Sequence, residues 1–437
     1  MSKIKESVLR FGAIGCGTVF NHAHIHAYLD LCNVELVGLF DNNQRQAIQT
    51  REHFEKLIDE RIKQLQHEED EQEKHEESSE NKKAIENLIS KKNCIKVYDN
   101  LEDLFANVDV VDICTPVKYH IPIAIEAIKK SVHVMSEKPA ARNWLEIEGL
   151  VKELKKSQKI LYQLNDDNLF LPRYQMIRHV IESGDIGEVV SIWIARGSHG
   201  PQERAWFWDP QTAGGGSLWD YGTHAVTSTW YLVGMDKVLH SVKSFTVTKK
   251  HKHRIIAGRV QEISVEDDAH FKVFFKDPSS NDIQTVVIEA TWSWPELGKV
   301  GSDVTGYIEV KGSEGDILGY IDERGDSCLK VSKRGWGENI LKVPTTTSER
   351  ESFRAEIRNF SQCIYENKLS ILNEYVAEEV TAALGAVYLS ELSGRITISL
   401  EEFKNFCREE AKGEESKEEA ISKIIAKLTQ KYKAIVN

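Results

Sequence analysis

The sequence predicts an α/β fold: an N-terminal doubly wound parallel sheet, then an α+β domain with a large, mostly antiparallel open sheet. Two observations carry this expectation. In the first third, short β-branched runs alternate with stretches of helical periodicity, the pattern of parallel strands joined by right-handed crossovers. From Glu188 onward the strands lengthen and polar turns link them with few helices between, the pattern of an antiparallel sheet covered on one face. A length of 437 residues suits two or three domains of roughly 150 residues.

The strands expected in the first part are Val8–Ile14, Val34–Phe40, Ile95–Tyr98, Val110–Cys114, Val132–Met135 and Lys159–Leu164. Ile121–Lys130 and Trp144–Lys156 carry apolar residues at helical spacing. In the second part the expected strands are Val189–Ala195, Val238–Thr248, Ala269–Phe275, Thr285–Trp294 and Tyr307–Val310. Helices are expected at Ser352–Glu366 and Glu374–Leu392.

Two segments read as additions. Arg51–Lys92 interrupts the α/β alternation, and its middle, Glu68–Glu80, is acidic and of low complexity. On either side, Phe54, Leu57, Ile58, Ile62 and Leu65, and then Ile85, Leu88 and Ile89, each fall on one helical face. The segment is therefore expected to form two helical arms projecting away from the active site, with a solvated acidic middle; a disordered acidic loop is the plainer alternative. The arms could cover each other. Alternatively, Ile421, Ile424, Ile425 and Leu428 of an amphipathic terminal helix could cover them or another subunit.

Composition excludes several classes. With 68 acidic against 56 basic side chains the formal net charge is −12, the opposite of a nucleic-acid footprint. No apolar run reaches the roughly 18 residues of a membrane span, and the charged start lacks a signal peptide's apolar stretch. Seven scattered cysteines without a C-x-x-C pair suit reduced thiols in a cytoplasmic protein.

Gly15-Cys16-Gly17-Thr18-Val19-Phe20 follows the first strand and opens a helix. The first glycine allows a tight turn, and the second lets backbone N–H groups approach a pyrophosphate at the positive helix end. Phe20 stands where a third glycine would, so the Rossmann fingerprint is incomplete. Asp41 ends the second strand, where a carboxylate can accept from a free ribose 2′-hydroxyl and repel a 2′-phosphate. This favours NAD over NADP, with Arg45 leaving a minority case for NADP.

Two further motifs carry the chemistry. Glu137-Lys138-Pro139 follows the fifth strand, at the end that faces the ligand crevice. Gly214-Gly-Gly-Ser-Leu-Trp-Asp220-Tyr-Gly-Thr-His224 runs into the helical stretch Ala225–Leu232. Spacing by four stacks Asp220 and His224 on one helical face. An isolated pair of this kind is in most helices a solvated or structural one, and an isolated lysine before proline is in most cases a surface residue.

Together these motifs resemble the glucose–fructose oxidoreductase/inositol dehydrogenase (Gfo/Idh/MocA) family, over Val8 to about Phe406. The resemblance extends to Thr115-Pro116 with His120, to Asp167-Asn168-Leu-Phe-Leu-Pro172 with Ser183-Gly-Asp-Ile-Gly187, and to Val265-Glu-Asp-Asp268. It implies that Lys138 sits between nicotinamide ribose and reacting hydroxyl, and that Asp220 and His224 are the acid–base pair. It also implies cofactor contacts from Gly15, Gly17, Thr18, Val19, Asp41, Thr115, Pro116, His120, Glu137 and Lys138. Either Asp167 or Asn168 fills the family's asparagine place, and Asn168 is taken as the substrate contact with Asp220 and His224. Departures from the family pattern are Phe20 and the two added segments.

The chemistry fits these roles. A histidine accepts the hydroxyl proton near neutral pH, a carboxylate one turn away can orient the imidazole, and a lysine ammonium stabilises the developing alkoxide. The implied activity is NAD-dependent hydride transfer from a hydroxyl of a sugar, cyclitol or related polyol. The alternatives are a redox-neutral NAD-dependent glycosidase and a dinucleotide-binding sensor, which could dispense with the Lys/Asp/His set. The implied assembly is a homodimer or homotetramer formed through the exposed sheet face, with no nucleic-acid or membrane partner.

Trp206, Trp208 and Trp219 suit either a wall against a sugar's apolar face or core packing. His22-x-His24-x-His26 is not read as a metal site, because spacing by two spreads the side chains around a helix. No metal is expected. Lys249–Arg254 reads as a solvated basic loop. The expected division is a dinucleotide-binding domain over 1–165 with a charged helical insertion at 51–93, a substrate-binding and oligomerisation domain over 166–407, and a helical tail over 408–437.

Overall fold

A computed structural model describes residues 8–71, 78–157, 159–294, 307–324, 326–344 and 350–433. The first six strands are β1 (Leu9–Ile14), β2 (Val34–Phe40), β3 (Lys96–Val97), β4 (Val110–Ile113), β5 (His133–Ser136) and β6 (Tyr162–Leu164). They form one parallel sheet in the order β3-β2-β1-β4-β5-β6. Strand order reverses between β1 and β4, so the crevice outside their carboxyl ends is the place where ligands bind such sheets. Near-continuous apolar runs, fully buried in β4, suit strands covered on both faces.

The second sheet contains β7 (Val189–Gly197), β8 (Val238–Thr248), β11 (Asp268–Lys276), β12 (Ile283–Thr291), β13 (Ile308–Gly312), β14 (Gly315–Ile321), β15 (Ser327–Lys333), β16 (Gly337–Lys342) and β17 (Ile398–Ser399). Strands β9 (His253–Ile256) and β10 (Arg259–Glu262) make a separate hairpin. The nine-stranded order is β16-β15-β14-β13-β7-β12-β11-β8-β17. Only β7 and β12 run parallel among its pairs. Helices Ser217–Val233 and Glu374–Leu392 cover one face, while Trp193, Phe245 and Tyr307 remain exposed. This is the fold class the sequence implies.

The added segments differ from expectation in two ways. The first arm does not begin at Arg51. It continues the helix after β2, a single 28-residue helix Gln44–Glu71, and Ser78–Cys94 returns alongside it. Phe54, Ile58, Leu65 and Leu88 are buried in the same core as Phe11, Phe20 and Tyr28, so the base of the arm belongs to the sheet's own packing. Lys91 is buried there, its ammonium donating to the carbonyls of Tyr28, Leu29 and Leu31. Residues 72–77 of the acidic run lie outside the described residues.

The terminal helix Lys417–Thr429 does not cover the arms. Its Ile421, Ile424, Ile425 and Leu428 are buried against helices Trp144–Leu154, Pro210–Ala213, Glu374–Leu392 and Leu400–Glu410. Helix Arg350–Glu366 crosses back to the first sheet's side, where Ile357 and Phe360 join the core around Phe11 and Phe54.

Candidate active site

Gly15 closes the turn after β1 at φ +91°. A Cβ there would sit 2.8 Å from the Cys114 carbonyl carbon and the Thr115 nitrogen, so only glycine lets β1 and β4 end this close together. A Cβ on Gly17 would meet nothing within 4 Å, and the chain turns helical at Thr18. That combination leaves open space in front of a helix N-terminus, as a pyrophosphate requires. Phe20 is buried, with its ring centroid 6.2 Å from that of Tyr28; it fills core where the fingerprint's third glycine would stand.

Asp41 leaves β2 with one carboxylate oxygen accepting from the Cys16 N–H at 2.9 Å and the other from the Asn43 N–H at 2.8 Å. It thus holds the glycine turn as well as edging the crevice. Along the carboxyl ends of the neighbouring strands lie buried polar atoms with no partner among the described residues: Thr115 Oγ1, both side-chain amide atoms of Asn165, and Asn168 Nδ2. Unsatisfied buried groups are uncommon in a folded chain. Together with the open glycine turn, they fit a bound dinucleotide. Pro116 precedes the short turn Val117–Tyr119. His120 is buried between the Thr115 carbonyl at 2.7 Å and the Pro139 carbonyl at 2.9 Å. It joins the two loops with both ring nitrogens occupied, rather than facing the crevice.

Lys138 Nζ donates to Asp220 Oδ1 at 2.5 Å, joining positions 82 apart in the chain. Trp292 Nε1 donates to the other oxygen of Asp220 at 3.1 Å. Burial alone would lower the lysine and raise the aspartate; their mutual contact outweighs it, holding Lys138 above and Asp220 below their ordinary values. Glu137 meets His24 Nε2 at 3.0 Å and accepts from the Lys138 N–H at 3.2 Å.

The expected pairing of Asp220 with His224 is corrected by the structure. Asp220 turns toward Lys138, and the carboxylate that orients His224 is Asp166, with Oδ1 2.7 Å from His224 Nδ1. Asp166 is fully buried and also accepts from the Thr227 hydroxyl. Burial would raise its carboxyl, but His224, Thr227 and Arg196 outweigh this and hold it low. The contact leaves His224 Nε2 without a partner among the described residues. Of the two asparagine-place candidates, Asp167 accepts from the Ser352 hydroxyl at 2.8 Å, while Asn168 faces Arg196.

Glu266 was not singled out by the sequence, although it lies in the Val265–Asp268 motif. Its Oε1 accepts from the N–H groups of Gly216 and Leu218, each at 2.9 Å, and Tyr388 donates to Oε2. A Cβ on Gly216 would lie 1.9 Å from the Glu266 carbonyl oxygen, and one on Gly215 2.3 Å from the Tyr388 hydroxyl. The glycine run is therefore required by packing, and Glu266 fixes the helix start that carries Asp220. A small cavity beside Asp220 is lined by Val117, Pro139 and Phe207. Trp208 and Trp219 are buried, donating to the Pro201 and Ala141 carbonyls, and Trp206 stacks on Phe207. So Phe207 and Trp219, rather than Trp206 or Trp208, wall that cavity.

The basic stretch Lys249–Arg254 is exposed from Lys250 to His253, as a solvated loop is, but ion pairs tie it down. Arg254 and His251 hold Asp267, Lys250 holds Asp268, and Lys249 donates to the Ile263 and Tyr432 carbonyls. His24 is buried away from His22, which is exposed, and from His26, which packs against His53. His24 is fully buried, with Nδ1 2.8 Å from Asp112 and Cys114 nearby. Burial would lower it, but Asp112 and Cys114 raise it well above the ordinary value, and two carboxylates account for both ring nitrogens.

A family model described as the oxidoreductase family, NAD-binding Rossmann fold, matches residues 56–165, and one described as the GFO/IDH/MocA C-terminal domain matches residues 174–318. Together they span more than half of the chain. The chain belongs to the Gfo/Idh/MocA family. An uncharacterized oxidoreductase from Synechocystis is 27% identical over 49% of this Gfo/Idh/MocA chain and 59% of its own length. Levoglucosan dehydrogenase from Pseudarthrobacter phenanthrenivorans is 29% identical over 33% of this chain and 38% of its own. The chain thus spans about half the length of these relatives. A solved levoglucosan dehydrogenase in complex with NADH and levoglucosan superposes with a TM-score of 0.69 at 18% identity, covering 90% of this chain and all (100%) of that one; this likeness shows the Gfo/Idh/MocA fold. No helix among the described residues is long and apolar enough to cross a membrane.

Proposed function

We propose that this chain is an NAD-dependent dehydrogenase that oxidises a hydroxyl of a sugar, cyclitol or related polyol. The observation that carries this is the convergence of Lys138, held by Asp220, and His224, held by Asp166, beside the crevice at the β1/β4 switch. Gly15, Gly17, Thr18, Val19, Asp41, Thr115, Pro116, Glu137 and Lys138 would hold the dinucleotide, with residues 1–165 as its domain and 166–407 as the substrate's. NAD, when bound, supplies the hydride acceptor.

The chain's own part is proton and charge management. His224 Nε2 accepts the proton of the reacting hydroxyl as the carbon gives up hydride and becomes a carbonyl. Asp166 keeps the imidazole's other nitrogen protonated and stabilises the cation that forms, the role an orienting carboxylate plays beside a catalytic histidine. The Lys138 ammonium stabilises negative charge on the reacting oxygen. Asp220 sets where that ammonium points. Asn168 lies beside the same site, and the protein is read as a homodimer or homotetramer working in the cytoplasm.

A panel of sugars, cyclitols and polyols, assayed with NAD and with NADP by absorbance of the reduced nicotinamide, tests the reading. NAD-dependent turnover of at least one member is expected. Glycoside hydrolysis with retained cofactor and no net reduced nicotinamide would replace it with a redox-neutral reaction.

A further inference from the structure

Arg196 ends the covered face of β7. Side chains alternate across a strand, so Ile192, Ile194 and Arg196 share the face packed under helix Ser217–Val233. The residue is 6% exposed. Its guanidinium carbon lies 5.9 Å from the centroid of the Tyr221 ring, and Tyr221 neighbours Asp220 in the chain. Nη2 makes one long contact, 3.5 Å, with Asn168 Oδ1. Nε and Nη1 are buried and have no partner among the described residues.

This contrasts with how the protein treats another buried guanidinium. Arg142, 2% exposed, is held by both Glu146 and Glu418 and by the Gln211 carbonyl. Arg196 forms no ion pair among the described residues. The nearby carboxylates are already engaged: Asp166 by His224 and Thr227, Asp220 by Lys138 and Trp292, Asp167 by Ser352. A buried charge with unmade hydrogen bonds is costly unless something supplies them. The amide of Asn168, short of a partner at Nδ2 among the described residues, lies beside the guanidinium. A guanidinium is built to take an oxyanion through two parallel N–H bonds. A sugar hydroxyl would accept one of them and leave the charge unmatched.

We propose that Arg196 is the anion-recognising residue of this site, so that the substrate is a sugar or cyclitol derivative bearing a carboxylate or a phosphate. The inference rests on the reading of the site as a dehydrogenase pocket. The oxyanion accepts from one edge of the Arg196 guanidinium, Nη1 with Nη2 or Nε with Nη2, which places the charged end of the substrate toward Asn168 and Tyr221. The reacting hydroxyl then lies toward Lys138 and His224.

The test uses the full chain loaded with NADH and matched ligands differing in charge. D-Glucose is compared with D-glucuronate and with D-glucose 6-phosphate, and myo-inositol with its 1-phosphate. Calorimetry measures binding, and nicotinamide absorbance measures turnover with NAD. At least one anionic member is expected to bind about ten- to hundredfold more tightly than its neutral partner, and the two glucose arms separate carboxylate from phosphate. Arg196→Gln should erase that difference while NADH affinity and binding of the neutral partner stay unchanged. Arg196→Lys, keeping charge without the fork, should retain part of it.

A merely structural role would lower thermal stability and weaken both partners alike, and that result overturns the proposal. Equal binding of neutral and anionic partners by the wild type, or no binding by any anionic member, also overturns it. Should Arg196→Gln lose NADH binding, Arg196→Lys decides: an undiminished preference counts against the role. Arg196-dependent anion binding without hydride transfer would uphold this inference and sink the dehydrogenase reading. Turnover of a neutral polyol, with no anionic member preferred by the wild type, would do the reverse.

Discussion

His224 and Asp166 are 58 positions apart in the chain, yet Nδ1 of the one lies 2.7 Å from Oδ1 of the other. The contact fixes which imidazole nitrogen is free for the substrate. Asp166→Asn keeps the shape and removes the charge that holds this tautomer. Turnover is expected to fall on the order of 10²–10⁴-fold, with NADH affinity little changed. Undiminished kcat on the true substrate would remove Asp166 from the mechanism.

Lys138 and Asp220 are expected to behave as one unit. Their side chains are 17% and 16% exposed, so removing one partner costs only a part of the roughly 3–5 kcal/mol seen for fully buried pairs. Lys138→Met and Asp220→Asn should each lower the urea midpoint. The double variant should lose less than the two single losses combined. Simple additivity in both stability and kcat would show that the 2.5 Å contact carries no coupling.

Asp41 should set the cofactor preference, and the structure adds a cost to removing it. Its carboxylate also ties the Cys16 and Asn43 N–H groups, so Asp41→Ser should raise KM for both NAD and NADP while narrowing the ratio between them. Better kcat/KM with NADP in the wild type would defeat the assignment.

Acid should destabilise the fold through carboxylates held low. Burial would raise Asp268, but contacts with His270, Lys250 and Thr291 bring it down to about 2. Asp166 and Asp220 are also lowered by their partners. A depressed folded value gives stability that is present above the unfolded value near roughly 3.9. That stability is lost as pH falls through the folded one. The urea midpoint should therefore drop between about pH 4 and pH 2, less steeply in Asp268→Asn. A wild-type midpoint flat across that window would contradict the linkage.

Among the described residues, Trp193, Phe245 and Tyr307 are exposed on one face of the large sheet, with the Trp193 and Tyr307 ring centroids 5.0 Å apart. Aromatic residues grouped on an open sheet face mark a contact surface. Trp193→Asp is expected to convert an oligomer into monomers, read by light scattering. A wild-type monomer at micromolar concentration would refute the assembly.

Much of the fold was legible because its signals are local. The β-branched runs of β2, β4 and β8 and the apolar periodicity of helix Glu374–Leu392 announce themselves within a few residues. The site was legible as far as its motifs. Helical spacing correctly puts Asp220 and His224 on neighbouring turns, but spacing sets where Cβ atoms lie, not where carboxylates point. Asp220 is drawn to a lysine from another sheet, and His224 to a loop aspartate. The same limit hid Glu266, whose partners are backbone N–H groups and a tyrosine 122 positions away. It also disguised Lys249–Arg254, whose counter-charges arrive from Asp267 and Asp268. The arm's boundary was misplaced because composition changes near Arg51, whereas the helix responds to the core and starts at Gln44.

The π-helical turn at Phe20–His24 makes the placing of His24 sensitive to the length of this helix. A π-turn accommodates one residue more than the regular helix around it. Deleting a single residue there would restore regular winding and swing His24 by about 100° per residue out from between Asp112 and Glu137. Whether an imidazole reaches the base of the Glu137–Lys138 turn thus depends on a count of residues rather than their kinds. A variant one residue shorter in this helix would lose the His24 contacts with Asp112 and Glu137 while keeping every catalytic side chain.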